Sequence, residues 1–165
     1  LQHLTLKPIP GGLLVQTRDD LIPDTSTWQH KAGPAPSGEQ LADAAVVWMI
    51  VKHLTSNAIA IGGREPDDEG NPKGYGVRLF GAGAGQMDRV TSCRLAIEKA
   101  GPLAKGAIAA SDAFFPFPDG PELLIDAGVK MIVHTGGSKR DEETFKLCER
   151  RGVTCMVTGV RHFRH

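Results

Sequence analysis

The pattern of apolar and polar positions predicts strands and helices that alternate along most of the chain. Short apolar runs predict strands at 57–63, 75–83, 106–111, 129–135 and 153–159. Longer stretches predict helices at 39–54, 86–100, 118–127 and 138–151, and the last three are each followed by a glycine. This alternation is typical of an α/β protein, here a three-layer αβα sandwich with a mostly parallel sheet.

The first 37 residues have a different pattern. After a Pro-Gly-Gly turn, the apolar residues 13–15 predict an edge strand, and the proline-rich residues 22–37 predict a loop that wraps around the domain. Ser37 is placed to cap the helix that follows. We therefore divide the chain into residues 1–37, an edge strand and wrapping loop, and residues 38–165, the α/β unit.

Composition narrows the class of protein. A chain of 165 residues, 41% of them hydrophobic, can bury one core. Its 19 basic and 19 acidic residues argue against a nucleic acid or an anionic membrane as partner. The three cysteines lack C-x-x-C spacing, and no apolar run is long enough to span a bilayer. We expect a cytoplasmic protein without a disulfide framework.

Three segments that follow predicted strands have unusual compositions: 81–86 (GAGAGQ), 111–120 (SDAFFPFPDG) and 136–138 (GGS). Ligands of parallel α/β sheets bind at the carboxyl ends of strands, where loops lead into helix N-termini. We therefore expect one site formed by these three loops. The glycines fit G-x-G-x-x-G poorly and neither H-x-E nor C-x-x-C occurs, so we expect no dinucleotide and no metal.

The segment 111–120 holds three of the chain's six phenylalanines and two prolines. Proline excludes a mid-helix or central strand, so Phe114 and Phe115 are predicted to form a flat apolar wall outside the core. Asp119 is either a helix cap or a carboxylate that faces an N–H-rich heterocycle, and the two roles are compatible. Asp112 is interpreted as structural.

The last seven residues, GVRHFRH, contain two arginines and two histidines. A solvated basic tail is the ordinary interpretation. The phenylalanine between them favours docking against the domain instead, with Arg161 and His165 forming an anion-binding cluster.

Taken together, "KHLTSNAIA", "GAGQMDRV", "SDAFFPFPDG", "GGSKRDEE" and "GVRHFRH" resemble, in order, the C-terminal half of the transformylase region of the AICAR formyltransferase/IMP cyclohydrolase family. The resemblance runs from about Gly12 to the end. It implies transfer of a formyl group from 10-formyltetrahydrofolate to 5-aminoimidazole-4-carboxamide ribonucleotide in purine biosynthesis. It also implies a cytidine-deaminase-like fold without catalytic zinc, and a dimer, because the family's sites form between subunits.

The resemblance assigns roles on the nucleotide side of the site. Asn57 corresponds to an asparagine that orients the carboxamide and formyl groups, and Arg89 to a substrate-side arginine. Phe114 corresponds to a phenylalanine at the junction of the substrate and folate pockets. Arg161 and His165 correspond to C-terminal residues that line the nucleotide site.

On the folate side, the resemblance makes Asp119 the acid that hydrogen-bonds the pterin. Gly137 and Ser138 lie in the loop that flanks the folate. The chain has "HTGGS" where "QPGGS" is commoner in the family, so His134 either alters folate contacts or is a tolerated loop residue. The polar loop 64–74 is longer than the family's usual tight hairpin, which leaves room for a different formyl acceptor.

The family's catalytic Lys-His pair, in a "KH-x-N-P" setting, is absent from this chain. Lys52 and His53 are a possible but weaker substitute. Three alternatives therefore stay open: a formyltransferase domain whose base comes from another subdomain, a fragment or split subunit that binds folate or nucleotide without turnover, and a half-sized paralogue that acts as a homodimer on a different amine.

Overall fold

The computed structural model describes residues 4–67, 72–162 and 164. The described elements are, in chain order, β1 (Leu4–Ile9), β2 (Gly12–Thr17), β3 (Gln29–Ala32), α1 (Gly38–Lys52), β4 (Ile59–Pro66), β5 (Pro72–Gly83), α2 (Arg89–Ala100), β6 (Ile108–Ser111), α3 (Asp119–Asp126), β7 (Met131–His134), α4 (Asp141–Arg151) and β8 (Thr154–Val157). Single 3-10 turns occur at Thr25–Thr27 and Gly101–Ala104.

The main sheet is mixed. Its strand order in the described chain is β3-β8-β7-β6-β4-β5. Strands β6, β7 and β8 are parallel, β4 runs antiparallel to both of its neighbours, and β3 runs antiparallel to β8. Strands β5, β6, β7 and β8 therefore share one direction, which agrees with a mostly parallel sheet. Because β3 and β4 run in the opposite direction, neighbouring strands form both parallel and antiparallel pairs.

Helices cover both faces of this sheet. On β7, Ile132 packs into the core beneath α2, α3 and α4, whereas Met131 and Val133 pack into the core beneath α1. Side chains alternate between faces along a strand, so a strand covered on both sides is apolar throughout. The continuous apolar runs of the sequence are explained in this way, and the α/β layering predicted from them is confirmed.

The predictions for the N-terminal segment need correction. Residues 13–15 belong to β2, which pairs with β1 in a separate two-stranded antiparallel sheet whose residues are all exposed. Strand β3, at one edge of the main sheet, lies instead inside the segment predicted to be a wrapping loop. Its sequence QHKA has no apolar run, so periodicity could not reveal it. The division at residue 37 stays a prediction.

Two helix starts differ in how well they were predicted. Ser37 caps α1 as expected, since its Oγ accepts the Gln40 N–H at 3.2 Å and the Gln40 side chain accepts the Ser37 N–H at 2.8 Å. Helix α2 begins later than predicted because Asp88 caps it. Met87, inside the predicted helix 86–100 but before the observed start, is 97% exposed.

The predicted loop 64–74 is shorter than expected, because β4 continues to Pro66 and β5 begins at Pro72. Residues 68–71 lie outside the described part of the chain.

Gly81 and Gly83 have a packing role instead of the predicted ligand role. Both lie within β5, where α2 crosses closely. A Cβ at Gly81 would lie 2.2 Å from the Ala96 carbonyl oxygen, and one at Gly83 would lie 2.0 Å from that of Ser92. Only glycine fits such an approach of helix to strand.

Among the described helices, none has the length and apolar character needed to cross a membrane.

Candidate functional site

Five segments of the chain meet at one edge of the main sheet. The carboxyl ends of the parallel strands β6, β7 and β8 lie there. Because β4 is antiparallel to β6, its first residue Ile59 lies opposite Ser111, and Ile59 also lies opposite Gly83 at the end of β5. The segments 55–58, 84–89, 112–119, 135–140 and 158–162 are therefore neighbours. This edge carries most of the predicted site residues.

The residues predicted on the nucleotide side form a buried polar cluster. The Arg89 side chain is 7% exposed, and its guanidinium pairs with the carboxylate of Asp112. Its Nη1 also donates to the Ala58 carbonyl at 2.9 Å, and its Nη2 donates to Asn57 Oδ1 at 3.0 Å. The buried Nε–H of Arg89 has no acceptor among the described residues, so one donor of the guanidinium is unused by the described chain.

The three phenylalanines of segment 111–120 have different environments. Phe114 is half-buried. Phe115 is 1% exposed and packs edge-on against His134, with ring centroids 5.6 Å apart, so its predicted role as a pocket wall is wrong. Phe117 is 52% exposed, and the guanidinium carbon of Arg140 lies 4.8 Å from its ring centroid. Neither Phe117 nor Arg140 was predicted to belong to the site.

Asp119 is the first residue of α3 and is exposed. The capping position is Pro118, which supplies no side-chain hydrogen bond, so the cap interpretation of Asp119 is wrong. Asp119 Oδ1 accepts the N–H of Gly120 at 2.8 Å. Its negative charge lies in the first turn of the helix, where the helix dipole stabilises anions.

The glycine loop before α4 is organised by Asp141. Asp141 Oδ2 accepts the backbone N–H of Gly137 at 2.7 Å and that of Ser138 at 3.2 Å. The helix starts at Asp141, three residues later than predicted, and Arg140 at its capping position supplies no side-chain hydrogen bond. The two N–H groups assigned to the folate side therefore already bind a carboxylate of the same chain.

The C-terminal segment packs against the domain through His162, which was not predicted to have a role. His162 is buried, its ring lies edge-on to Trp48 with centroids 3.9 Å apart, and its Nδ1 pairs with Asp19. Burial lowers the pKa of His162, and Asp19 opposes that effect. Arg161 is exposed at the same edge, and His165 lies outside the described residues.

Lys52 and His53 hold the N-terminal and C-terminal segments of the chain. The Lys52 ammonium donates to the Leu21 carbonyl at 2.6 Å and lies 3.4 Å from Asp19 Oδ1, so it anchors the N-terminal segment. His53 is the exposed residue that ends α1, and its carbonyl accepts a hydrogen bond from Arg164 at 3.2 Å. This geometry favours a structural role for Lys52.

Comparison with known proteins assigns the family. The family model described as "AICARFT/IMPCHase bienzyme" matches residues 1–99, more than half of the chain. The chain belongs to the AICARFT/IMPCHase bienzyme family. The bifunctional purine biosynthesis protein PurH of Nostoc punctiforme is 44% identical over 161 residues, which cover 98% of this chain and 29% of that protein. The PurH protein of a Synechocystis species has the same identity and coverage. The chain thus spans under a third of the length of these relatives.

A solved structure with some similarity is RibD of Acinetobacter baumannii, with a TM-score of 0.41 and 19% identity. The match covers 71% of this chain and 33% of that one. Similarity at this level assigns no fold family.

Two cavities of the described structure lie away from the buried polar cluster around Arg89. One, of about 160 Å³, is at the opposite edge of the sheet and is lined by residues that include Arg64, Phe80, Lys105 and Lys130. Another, of about 250 Å³, lies between α3 and α4 next to Pro118. Neither contains Asn57, Arg89 or Phe114. We place the candidate site at the carboxyl edge because the buried cluster of Arg89, Asp112 and Asn57 lies there together with the exposed Asp119.

His134 is a core residue and not a folate contact. Its side chain is fully buried, its Nδ1 accepts the Gly136 N–H at 3.2 Å, and its Nε2 lies 3.6 Å from Cys155 Sγ. Burial lowers the pKa of His134 from 6.5 to about 4. A neutral imidazole in the folded state and a protonated one in the unfolded state make folding pH-dependent.

We expect acid to destabilise the protein through His134. The neutral, buried His134 contributes fully to the free energy of unfolding above pH 6.5, and this contribution is lost as the pH falls from 6.5 towards 4. At pH 4.5 the free energy of unfolding should be lower by about 2–3 kcal/mol. His134→Gln should remove that part of the pH dependence in urea unfolding between pH 7 and 4.5. The exposed His53→Gln is the matched control and should keep the slope of the unaltered protein. Equal slopes in all three proteins would contradict the assignment.

Proposed function

We propose that this chain supplies the folate- and nucleotide-binding half of a formyltransferase site. The donor is 10-formyltetrahydrofolate, and the acceptor is the amine of 5-aminoimidazole-4-carboxamide ribonucleotide. The observation that carries the proposal is that a member of this family brings Asn57, Arg89, Phe114 and Asp119 to one edge of its sheet. The names of the relatives support a place in purine biosynthesis.

The residues present fit a folate on one side of the edge. Asp119 offers a solvent-facing carboxylate, and only its Oδ1 is used by the described chain. A pterin presents N–H groups that such a carboxylate accepts. Phe114, half-buried in the same segment of the chain, offers an apolar ring surface for a flat heterocycle. The folate would supply the activated formyl group.

On the other side, the half-buried side-chain amide of Asn57 offers its second Nδ2–H, the first being donated to the Gln86 carbonyl, to the oxygens of a carboxamide or a formyl group. In the transfer, a C–N bond forms between the acceptor amine and the formyl carbon, and the bond from that carbon to N10 of the folate breaks. The amine gives up a proton and N10 takes one up. Fixed donors stabilise the oxyanion of the tetrahedral intermediate.

The base that takes the proton is proposed to come from outside this chain. Lys52 is buried and paired with Asp19, which leaves His53 as the weaker internal candidate. This geometry favours, as a second function, a subunit that binds folate or nucleotide without turnover. We further propose a cytoplasmic protein of cytidine-deaminase-like fold that pairs with a second copy or with the missing transformylase subdomain.

The experiment combines calorimetry with an activity assay on the purified chain. A stable 10-formyltetrahydrofolate analogue should bind, and Asp119→Asn and Phe114→Ala should each weaken binding about tenfold or more. Arg64→Gln, at the cavity of the opposite edge, is the control and should leave the affinity unchanged.

The outcomes separate the alternatives. Binding without turnover supports the binding half. Turnover that survives in Lys52→Ala and His53→Ala excludes that pair as the base. Turnover by a chain of dimeric mass, with an amine other than the imidazole carboxamide preferred, supports the half-sized paralogue. Absence of binding to both ligands contradicts the proposal.

A further inference from the structure

The carboxylate of Asp112 lies at the centre of the candidate site, although the resemblance gives it no role. Asp112 directly follows β6 and is 1% exposed. Its Oδ1 accepts the Ala58 N–H at 3.1 Å and the Arg89 guanidinium, and its Oδ2 accepts the Ser56 hydroxyl. Both carboxylate oxygens are therefore used, and each partner belongs to the segments that carry Asn57 and Arg89.

The pairing with Asp112 fixes Arg89, and Arg89 in turn fixes Asn57. With Nη1 held by Asp112, Nη2 donates to Asn57 Oδ1 at 3.0 Å. On the other side of the same amide, Asn57 Nδ2 donates to the Gln86 carbonyl at 3.0 Å. A flipped amide would place a donor against the Arg89 donor and an acceptor against the Gln86 acceptor. The network permits one orientation only.

Asp112 also binds the C-terminal segment through its backbone carbonyl. The Asp112 carbonyl accepts the His162 N–H at 2.9 Å, and the neighbouring Ser56 N–H donates to the Arg164 carbonyl at 2.8 Å. Arg161 is next to His162 in the chain, so its position depends on this docking.

We propose that Asp112 is a positioning residue, which sets the orientation of the Asn57 amide through Arg89. A buried ion pair is weak evidence for stability, since an apolar pair of similar volume is often as stable. What an apolar pair cannot do is orient an amide. The inference rests on the proposed function in one respect, that Asn57 and Arg89 face the nucleotide.

The test uses the 165-residue chain and the variant Asp112→Asn, which keeps the shape and removes the charge. Two readouts are followed: the affinity for the imidazole carboxamide ribonucleotide by calorimetry, and the Asn57 side-chain amide signals by ¹H–¹⁵N NMR. We expect the affinity to fall about tenfold or more and the amide signals to shift. Ser56→Ala removes one bond to Asp112 but leaves Arg89 paired, and should keep the Asn57 signals and an affinity within about threefold.

Ile132→Val, a core change on β7 away from the network, controls for lost stability. An equal loss of affinity in Ile132→Val and Asp112→Asn would overturn the proposal, as would unshifted Asn57 signals in Asp112→Asn. If Asp112→Asn does not fold, Arg89→Lys replaces it in the test. A lysine ammonium keeps the positive charge, but it cannot bind Asp112 and Asn57 at the same time as the guanidinium does. Its Asn57 signals must then shift. If the unaltered chain binds no nucleotide, the proposed function fails and the NMR readout still decides the positioning role.

Discussion

Replacing Phe115 with alanine is expected to lower the free energy of unfolding by about 3–5 kcal/mol. Phe115 is fully packed in the core between the sheet and α2, α3 and α4, where it contacts His134. Removing the ring loses its burial and leaves a cavity that a close-packed interior cannot fill. Urea unfolding at pH 7 measures the change.

The same segment supplies the matched control. Phe117→Ala removes an identical ring that is 52% exposed and contacts Arg140, so the loss should be about 1 kcal/mol or less. Phe114→Ala should give an intermediate loss, because Phe114 is half-buried. Similar losses at Phe115 and Phe117 would show that the segment is packed differently from this description.

Replacing Arg89 with methionine is expected to destabilise the protein by about 3–5 kcal/mol, since the Asp112 carboxylate would remain buried without its counter-charge. The Ala58 N–H and the Ser56 hydroxyl would still bind the carboxylate, but neither is charged. The double variant Arg89→Met with Asp112→Leu should recover much of that loss.

An exposed ion pair provides the comparison. Arg140 forms two hydrogen bonds of 2.6 Å with Glu143, and both side chains are nearly half exposed. Arg140→Met should therefore destabilise the protein far less than Arg89→Met. A loss at Arg140 as large as that at Arg89 would mean that burial does not distinguish the two pairs.

The sequence was sufficient for those elements whose signal is local. The buried strands β6, β7 and β8 and the capped helix α1 follow from apolar runs and from Ser37. Strand β3 could not be found in this way, because its place in the sheet depends on pairing with β8, more than a hundred residues away. The role of Gly81 and Gly83 was predicted wrongly for a related reason. The sequence does not distinguish a glycine in a ligand-binding loop from a strand glycine that allows a helix to pack closely.

The site was predictable in location more than in detail. Loops after successive strands indicated the edge, and the structure places them there. That Phe115 is core while Phe117 is exposed depends on how the prolines turn the chain. The Asp112 network joins residues 23 to 56 positions apart, and no local spacing encodes it. One signal was available in the sequence, because Asp112 is an acid that directly follows the strand residues Ile108–Ser111, three of which are apolar.

The most direct test of the central claim is an NMR titration of the ¹⁵N-labelled chain with a stable 10-formyltetrahydrofolate analogue. The account predicts that amide shifts concentrate at the carboxyl edge of the sheet, at Phe114, Asp119 and Gly137. Shifts confined to the cavity lined by Arg64, Lys105 and Lys130, or no shifts at saturating analogue, would contradict it.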